Sequence, residues 1–219
     1  MYFQFMIEDE SSRVLVELLM NKICKENPHI ASDYKSFRGI GGFTPKNTVK
    51  ETKTGKLLND LATYMAGFNR SLQGFEAALF IVLDNDDHDP VAFRAELEAI
   101  ARCREISIDH VFCLVIEEME AWLLGDENAL LQAYPNAKLS ALHSYRQDSI
   151  CGTWETLADV VYKGGRAKFR KDNPSYQSQG AVKASWANNI GQYMDVHKNT
   201  SPSFCFFISE IEKRMNVSA

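Results

Sequence analysis

Carboxylate side chains follow three apolar segments of the sequence, and these clusters are the residues best suited to chemistry. The clusters are Glu8-Asp9-Glu10, Asp84-Asn85-Asp86-Asp87, and Glu117-Glu118 with Glu120. Carboxylates crowded together repel one another unless a counter-charge is present, and a hard divalent cation with oxygen ligands supplies one. The clusters therefore predict a metal site. Solvated loops and helix starts favoured by the helix dipole are the competing interpretation.

The apolar segments before these clusters have the pattern of strands in a parallel sheet. They are Met1–Ile7, Ala77–Leu83 and Val111–Ile116, and the second is wholly apolar, as expected for a strand buried on both faces. Residues at helical spacing follow each strand, so we predict an α/β fold with a mainly parallel sheet flanked by helices. The carboxyl ends of parallel strands share one edge, where ligands bind. The three acidic clusters should meet there.

The remaining patterns divide the chain into a core and an extension. Asp89-Pro90 predicts a helix start, with Asp as N-cap and Pro in the first position. Asn27-Pro28 and Gly39-Ile40-Gly41-Gly42 predict loop. No strand is expected beyond Pro135, so residues 1–134 should form an α/β core, and residues 135–219 a mainly helical extension packed on it. Helical spacing is found in Ser11–Cys24, Gly55–Phe68, Glu118–Leu124, Asn128–Ala133, Thr153–Val161, Ala181–Met194 and Ser201–Arg214.

Composition excludes several classes of protein. The 219 residues are 45% hydrophobic and 24% charged, which is ordinary for a globular protein. No apolar run approaches the roughly 20 residues of a membrane-spanning helix, and no secretory signal is evident, so we expect a cytoplasmic protein with no membrane contact. The five cysteines are widely spaced without a CxxC pair, which favours buried free thiols over disulfides or a zinc knuckle.

Basic residues concentrate in the segment 163–183, although the chain carries a net charge of -5. This basic segment has a net charge of +5, which leaves -10 for the rest. Aromatic residues lie within and beside it, and cations interleaved with aromatics suit contacts with nucleic acid. A mobile, solvated loop is an equal alternative. The predicted nucleic-acid contacts are Lys163, Arg166, Lys168, Arg170 and Lys171, and the aromatics are Tyr162, Phe169, Tyr176 and Trp186.

The end of the basic segment carries one further candidate. A lysine near a metal site can stabilise charge that develops on a phosphoryl group, and we assign this catalytic role to Lys183. The sequence has no GxxxxGK phosphate-binding loop.

A strand followed by Glu, and a later strand followed by Asp-x-Asp, resembles the Toprim fold of topoisomerases, primases and the nucleases of the overcoming-lysogenization-defect type. Three stretches are more specific: residues 5–10 (FMIEDE), 118–124 (EMEAWLL) and 199–204 (NTSPSF). Together they are similar to a Toprim-related bacterial family catalogued as domain-of-unknown-function family 4276. The resemblance spans most of the chain.

This resemblance implies a nuclease that uses one or two Mg²⁺ (or Mn²⁺) ions to cleave phosphodiester bonds in DNA or RNA. Glu8 matches the Toprim glutamate, a general acid–base or metal ligand. Asp84 and Asp86 match the metal-binding pair, and Glu120 matches a further ligand. Two ions about 4 Å apart stabilise both the attacking and the leaving oxygen. Relatives are often encoded beside an ATPase in phage-defence systems, so the resemblance also implies a separate ATPase partner.

Two other functions stay open. Asp9 stands where the Toprim glutamate is usually followed by Gly, and Ser12 stands where related nucleases often have a carboxylate. These departures leave open a non-catalytic, Toprim-shaped module that binds an ATPase or nucleic acid. The Asp84-Asn85-Asp86 motif also resembles the nucleophile motif of haloacid-dehalogenase-like phosphotransferases. That motif normally follows the first strand and precedes Gly-Thr, whereas Asp87-His88 follows here.

Overall fold

A four-stranded sheet in which every strand is parallel forms the centre of the fold. The computed structural model describes residues 1–39, 41 and 56–217. The strands are β1 (Tyr2–Ile7), β2 (Ala31–Ser36), β3 (Ala77–Asp84) and β4 (Asp109–Val115). They lie in the order β2-β1-β3-β4. The predicted α/β class with a parallel sheet is therefore confirmed, and the arrangement is consistent with a Toprim-like fold.

Helices connect the strands and continue to the end of the described chain. Asp89 caps the helix after β3 as predicted, because its Oδ1 accepts a hydrogen bond of 2.8 Å from the Ala92 amide. No described helix has the length and apolarity needed to cross a bilayer. The helices of the described residues are α1 (Glu10–Glu26), α2 (Leu57–Ser71), α3 (Pro90–Cys103), α4 (Glu120–Leu124), α5 (Glu127–Ala133), α6 (Leu139–Ser144), α7 (Thr153–Val161), α8 (Gly165–Asp172), α9 (Tyr176–Gly191) and α10 (Pro202–Val217).

Both faces of the sheet are covered by helices, as the apolar strands require. Side chains of β3 alternate between the faces: Phe80 and Val82 point into one core, and Leu79 and Ile81 into the other. The core around Phe80 is closed by α1 and by apolar residues of every helix from α4 to α10. The core around Leu79 is closed by α2 and α3. The C-terminal helices therefore share one core with the sheet.

The winding of the chain reverses at the centre of the sheet. β2 lies on one side of β1, whereas β3 and β4 lie on the other. Open α/β sheets bind ligands in the crevice at such a reversal, outside the carboxyl ends of the strands. Glu8 directly follows β1, and Asp84 is the last residue of β3.

The structure adds one strand and corrects several local predictions. β2 lies between the two stretches predicted as loop and overlaps neither of them. Ile40 and Gly42 of the second stretch, and Gly55 at the start of a predicted helix, fall outside the described residues. The alternative of a mobile loop for the basic segment fails, because α8 and the first half of α9 occupy it. α9 also begins five residues before the predicted Ala181. All five cysteines are free, but only Cys113 is buried, and Cys103, Cys151 and Cys205 are exposed.

Candidate functional site

Glu8 and Asp84 are joined directly at the carboxyl edge of the sheet. The backbone amide of Asp84 donates a hydrogen bond of 2.9 Å to Oε2 of Glu8. The parallel register of β1 and β3 pairs Ile7 with Val82, and the Glu8 amide continues it by donating to the Val82 carbonyl over 3.1 Å. Strand pairing therefore brings these two predicted site residues together.

The Asp84 carboxylate is buried and incompletely bonded. The residue is 9% exposed, and its Oδ1 has no hydrogen-bond partner among the described residues. Burial raises the pKa of Asp84 well above its usual value, and the negative charge of Glu8 raises it further. A buried, unpartnered carboxylate oxygen is costly because water no longer solvates it. Such an oxygen suits a bound proton or a cation.

Glu120 shares a buried ion pair with Lys183. Glu120 is 3% exposed, and its Oε1 lies 3.3 Å from the Nζ atom of Lys183, whereas its Oε2 has no hydrogen-bond partner among the described residues. Oε1 of Glu118 lies 3.7 Å from the same Nζ atom. The structure thus places the predicted lysine beside the predicted ligand Glu120.

These contacts shift the pKa of each group. Burial, and after it the charge of Glu120, raises the pKa of Glu118 to about 8. Burial also raises the pKa of Glu120, against the effect of Lys183. Burial acts to lower the pKa of Lys183, but the charges of Glu120 and Glu118 outweigh it and hold that pKa above its usual value. The lysine is therefore the internal counter-charge of the site.

Close packing of α9 on α1 positions Lys183. A Cβ atom on Gly191 would lie 2.9 Å from Cδ1 of Leu15, so the two helices approach where only glycine fits without a shift. The ammonium group of Lys22 donates hydrogen bonds to the carbonyls of Gly191 (2.9 Å) and Met194 (2.6 Å), which holds the end of α9 against α1. These contacts fix the position of α9 relative to α1.

The second and third stretches that carry the resemblance form one buried unit. Nδ2 of Asn199 donates a hydrogen bond of 2.7 Å to the Trp122 carbonyl. Nε1 of Trp122 donates one of 2.9 Å to Oγ of Ser203. Trp122 is fully buried, which agrees with its expected place in the core. The polar loop before α10 therefore holds α4, whose first residue is Glu120.

Asp86 follows Asp84 by two residues, in the loop after β3. Its backbone is left-handed (φ 47°), and its amide donates a hydrogen bond of 3.1 Å to the Glu117 carbonyl. Burial raises the pKa of Asp86, and the positive charge of Lys183 opposes this rise. The Glu117 carboxylate accepts hydrogen bonds from the backbone amides that open α7, including that of Gly152 (2.8 Å). Glu117 therefore has a structural role.

The site offers the donor chemistry of a hard cation but not a complete set of ligands. The unpartnered oxygens of Asp84 and Glu120 are ligands that Mg²⁺ prefers. Within residues 1–39, 41 and 56–217, no three His, Cys, Asp or Glu side chains are grouped so that they could hold a metal ion. Lys183 supplies the counter-charge in this arrangement.

Most cations of the basic segment are bound to neighbouring carboxylates. Three of the five predicted nucleic-acid contacts make salt bridges, which lowers the net positive charge of this surface. Lys163 and Lys171 are exposed and make no salt bridge within the described residues. The three pairs are Arg166 with Asp159 (2.6 Å), Lys168 with Asp172 (2.8 Å) and Arg170 with Glu155 (2.8 Å).

The aromatic residues of the basic segment divide into core and surface. Phe169 is fully buried, and its ring centroid lies 5.1 Å from that of Trp186, which is also buried. The expectation that these two rings contact nucleic acid is wrong, because they pack inside the helical layer. Tyr176, in contrast, is 83% exposed.

One residue of the site was not singled out by its sequence pattern. Glu118 belongs to the third acidic cluster, and the signal that could have identified it is its spacing of two residues from Glu120.

No family model, no characterised protein and no solved structure matches the chain. The fold and the site define an α/β protein with a buried acidic site at the winding reversal of its sheet.

Proposed function

We propose that this protein is a Mg²⁺-dependent nuclease of the Toprim type that hydrolyses phosphodiester bonds in DNA or RNA. One observation carries the proposal: Asp84 and Glu120 are buried at the carboxyl edge of the sheet, and each has an oxygen without a hydrogen-bond partner in the described chain. Glu117, in contrast, accepts backbone hydrogen bonds at the start of α7. The ion pair with Lys183 engages Oε1 of Glu120 and leaves its Oε2 without a partner, and Oδ1 of Asp84 has none among the described residues.

The side chains divide the chemistry among them. Asp84 and Glu120, with Glu8 beside them, would hold the cation, and Asp86 would be a further ligand. Mg²⁺ or Mn²⁺, as one or two ions, supplies charge stabilisation and a more acidic water. Glu8 is oriented by the Asp84 amide, which suits a general acid–base that gives or takes a proton at a defined position. Lys183 provides a fixed positive charge for an anionic phosphate.

Two parts of the proposal concern partners. Lys163 and Lys171 are the exposed cations of the basic segment that remain available to a phosphate backbone. A separate ATPase partner and a role in phage defence rest on the resemblance described for the sequence. The missing phosphate-binding loop is compatible with such a partner.

A second candidate function is a non-catalytic binding module. The observation that favours it is Lys183, whose ammonium already compensates Glu118 and Glu120. A site neutralised in this way could serve recognition without a metal. Metal binding and cleavage together separate the two candidates.

The test is a Mg²⁺ titration by calorimetry together with cleavage assays on single- and double-stranded DNA and RNA. Asp84→Asn is compared with wild type and with Asp87→Asn, a matched control in which an exposed acid of the same loop is changed. We expect wild type and the control to bind Mg²⁺ and cleave, and Asp84→Asn to lose both while remaining folded. Equal Mg²⁺ affinity in all three proteins contradicts the site. Absence of cleavage, with or without Mg²⁺ binding and even with the ATPase partner added, favours the binding module.

A further inference from the structure

An aromatic ring is held in solvent at the start of α9. Tyr176 is the first residue of this helix and is 83% exposed. A capping box fixes the helix start, because Oγ of Ser175 accepts from the Ser178 amide (3.1 Å) and Oγ of Ser178 accepts from the Ser175 amide (3.2 Å). The ring is therefore displayed on a rigid backbone and takes no part in the core.

Tyr176 and Lys183 lie on the same face of α9. Seven residues separate them, which is about two turns and a rise of about 10 Å. Desolvation of its hydroxyl group raises the pKa of Tyr176. The negative charges of Asp9, Glu8 and Asp84 raise it further, whereas the positive charge of Lys183 lowers it. The exposed ring therefore stands at the rim of the acidic site, in line with the ammonium group inside it.

Gly180 lies between these two side chains on the same face. A Cβ atom on Gly180 would meet nothing within 4 Å, so packing does not require glycine here. Glycine within a helix costs about 1 kcal/mol relative to alanine. The neighbouring Gln179 is turned away, since its Nε2 donates to the Asn173 carbonyl over 3.0 Å. At Gly180, between the ring and the ammonium group, no side chain therefore fills the space within 4 Å of the Cβ position.

We propose that Tyr176 stacks on an unpaired base of the nucleic acid whose phosphate reaches Lys183, so that the site takes single strands in preference to continuous duplex. This inference rests on the proposed nuclease function and names its substrate class. A base in a duplex has both faces covered by its neighbours, whereas an unpaired base offers a face to an exposed ring. The bare surface at Gly180 leaves room for that base beside the helix.

A positive charge near Tyr176 also supports the binding of a nucleic-acid strand. Lys171, near the end of α8, is exposed and makes no salt bridge with a described residue. Five residue steps separate it from Tyr176, so the two lie no more than about 18 Å apart. A strand that stacks on Tyr176 therefore meets a cation outside the acidic site and Lys183 within it.

The test measures binding of a fluorescent oligothymidine strand and of its duplex with oligoadenosine, with Ca²⁺ in place of Mg²⁺ to limit cleavage. Tyr176→Ala should weaken single-strand binding about 5- to 150-fold, because one stacked base contributes about 1–3 kcal/mol. Tyr176→Phe should bind like wild type, because it keeps the ring. Tyr193→Ala is the matched control, since Tyr193 is also exposed (48%) but lies beyond the other end of α9.

Further results decide the inference. Duplex affinity should be the same in all four proteins, and a single 2-aminopurine base in the strand should change its fluorescence on binding wild type but not Tyr176→Ala. Unchanged single-strand binding by Tyr176→Ala, which a protein-docking role for the ring would produce, overturns the inference. An equal loss on strand and duplex overturns it as well.

Parallel measurements on wild type report on the proposed function separately. If wild type binds Mg²⁺ and cleaves, but Tyr176→Ala keeps the same preference between strand and duplex, the inference fails and the nuclease stands. If wild type neither binds Mg²⁺ nor cleaves, the nuclease fails, and with it the substrate class named here.

Discussion

The backbone amide of Asp84 holds the carboxylate of Glu8 at 2.9 Å, although 76 positions separate the two residues. The bond joins the ends of β1 and β3, the two strands between which the winding reverses. It fixes the orientation of Glu8 through an acceptor oxygen, and a carboxamide has such an oxygen too. Orientation and proton transfer at position 8 can therefore be separated by substitution.

Glu8→Gln should keep the fold and lose the chemistry. If Glu8 moves a proton, the cleavage rate should fall about 10²- to 10⁴-fold at saturating Mg²⁺. If Glu8 is only a ligand, the apparent Mg²⁺ affinity should fall, and excess Mg²⁺ should restore most of the rate. The melting temperature should not fall, because one of several mutually repelling charges is removed. Cleavage rates across a Mg²⁺ titration distinguish these cases, and an unchanged rate throughout excludes both roles.

Lys183→Met should leave Glu120, and at pH above about 8 also Glu118, without its counter-charge. Removing one partner of a buried ion pair costs about 3–5 kcal/mol, so the melting temperature should fall by several degrees. A divalent cation can compensate the same carboxylates, so Mg²⁺ should raise the melting temperature of the variant more than that of wild type. Lys213→Met is the control, because its side chain is exposed and lies 4.0 Å from Glu210, its one salt-bridge partner among the described residues. Equal melting temperatures for all three proteins would disprove the internal counter-charge.

The raised pKa values predict that the metal-free protein is less stable at higher pH. Burial and the charge of Glu120 raise the pKa of Glu118 to about 8, so between about pH 5 and pH 8 the folded protein binds a proton that the unfolded chain has released. The free energy of unfolding should therefore fall with rising pH, by up to about 1.4 kcal/mol per unit for each such proton. The raised pKa of Lys183 stabilises the folded protein throughout this pH range, because the whole range lies below the pKa of lysine in the unfolded chain.

Urea denaturation at a series of pH values, without divalent cations, measures this slope. Glu118→Gln should flatten it, since the amide does not titrate. Glu127→Gln should leave it unchanged, because Glu127 lies outside the site and pairs with His143 on the surface. A slope that is the same in wild type and Glu118→Gln contradicts the burial argument.

Much of the α/β pattern follows from the sequence because it depends on local signals. The wholly apolar β3 and the Asp89-Pro90 helix start are examples. β2 was missed because ASDYKS is polar, and this edge strand depends on its pairing with β1. α8 was missed because it is highly charged and buries little beyond Phe169. Tertiary contacts decide both elements, and no local pattern reports them.

Gly125→Ala should destabilise the buried unit that holds α4. The backbone at Gly125 is right-handed helical (φ -76°), so alanine is acceptable there, but its Cβ would lie 2.0 Å from Oδ1 of Asn199. Asn199 would have to move and lose its buried hydrogen bonds, a cost of about 2–4 kcal/mol. Gly67→Ala is the control: it lies inside α2 with nothing within 4 Å, and should stabilise by up to about 1 kcal/mol. Chemical denaturation checks both, and equal stability of the two variants contradicts the close packing.

Lys163 and Lys171 should account for more of the salt dependence of nucleic-acid binding than the paired cations do. Each phosphate that a variant no longer neutralises should reduce the log–log slope of affinity against salt by about 0.9 for duplex DNA and about 0.7 for single strands. The double variant Lys163→Ala with Lys171→Ala should therefore reduce this slope by up to twice that amount. Lys168→Ala should change it less, because its ammonium group is bound to Asp172 (2.8 Å). Binding measured at several salt concentrations tests this, and a larger effect of Lys168→Ala reverses the assignment.

The site was predictable only in part, for a physical reason. The pairing of Glu8 with Asp84 follows from parallel strands, whose carboxyl ends must share an edge. The partners of Lys183 depend on how α9 docks on α1, which is decided by a close contact at Gly191. The position of Asp86 depends on its left-handed backbone in a loop. The shared edge of parallel strands can be inferred from the sequence pattern, whereas helix docking and loop conformation cannot.

The core around Phe80 also constrains how the chain can fold during synthesis. The ring of Phe5 in β1 lies 6.2 Å, centroid to centroid, from that of Phe207 in α10, and Phe80 lies 6.1 Å from the same ring. These partners are separated by more than half of the described chain. This core therefore cannot be completed during synthesis until α10 has left the ribosome. An incomplete chain exposes this apolar face of the sheet, which makes it a target for chaperones and for aggregation.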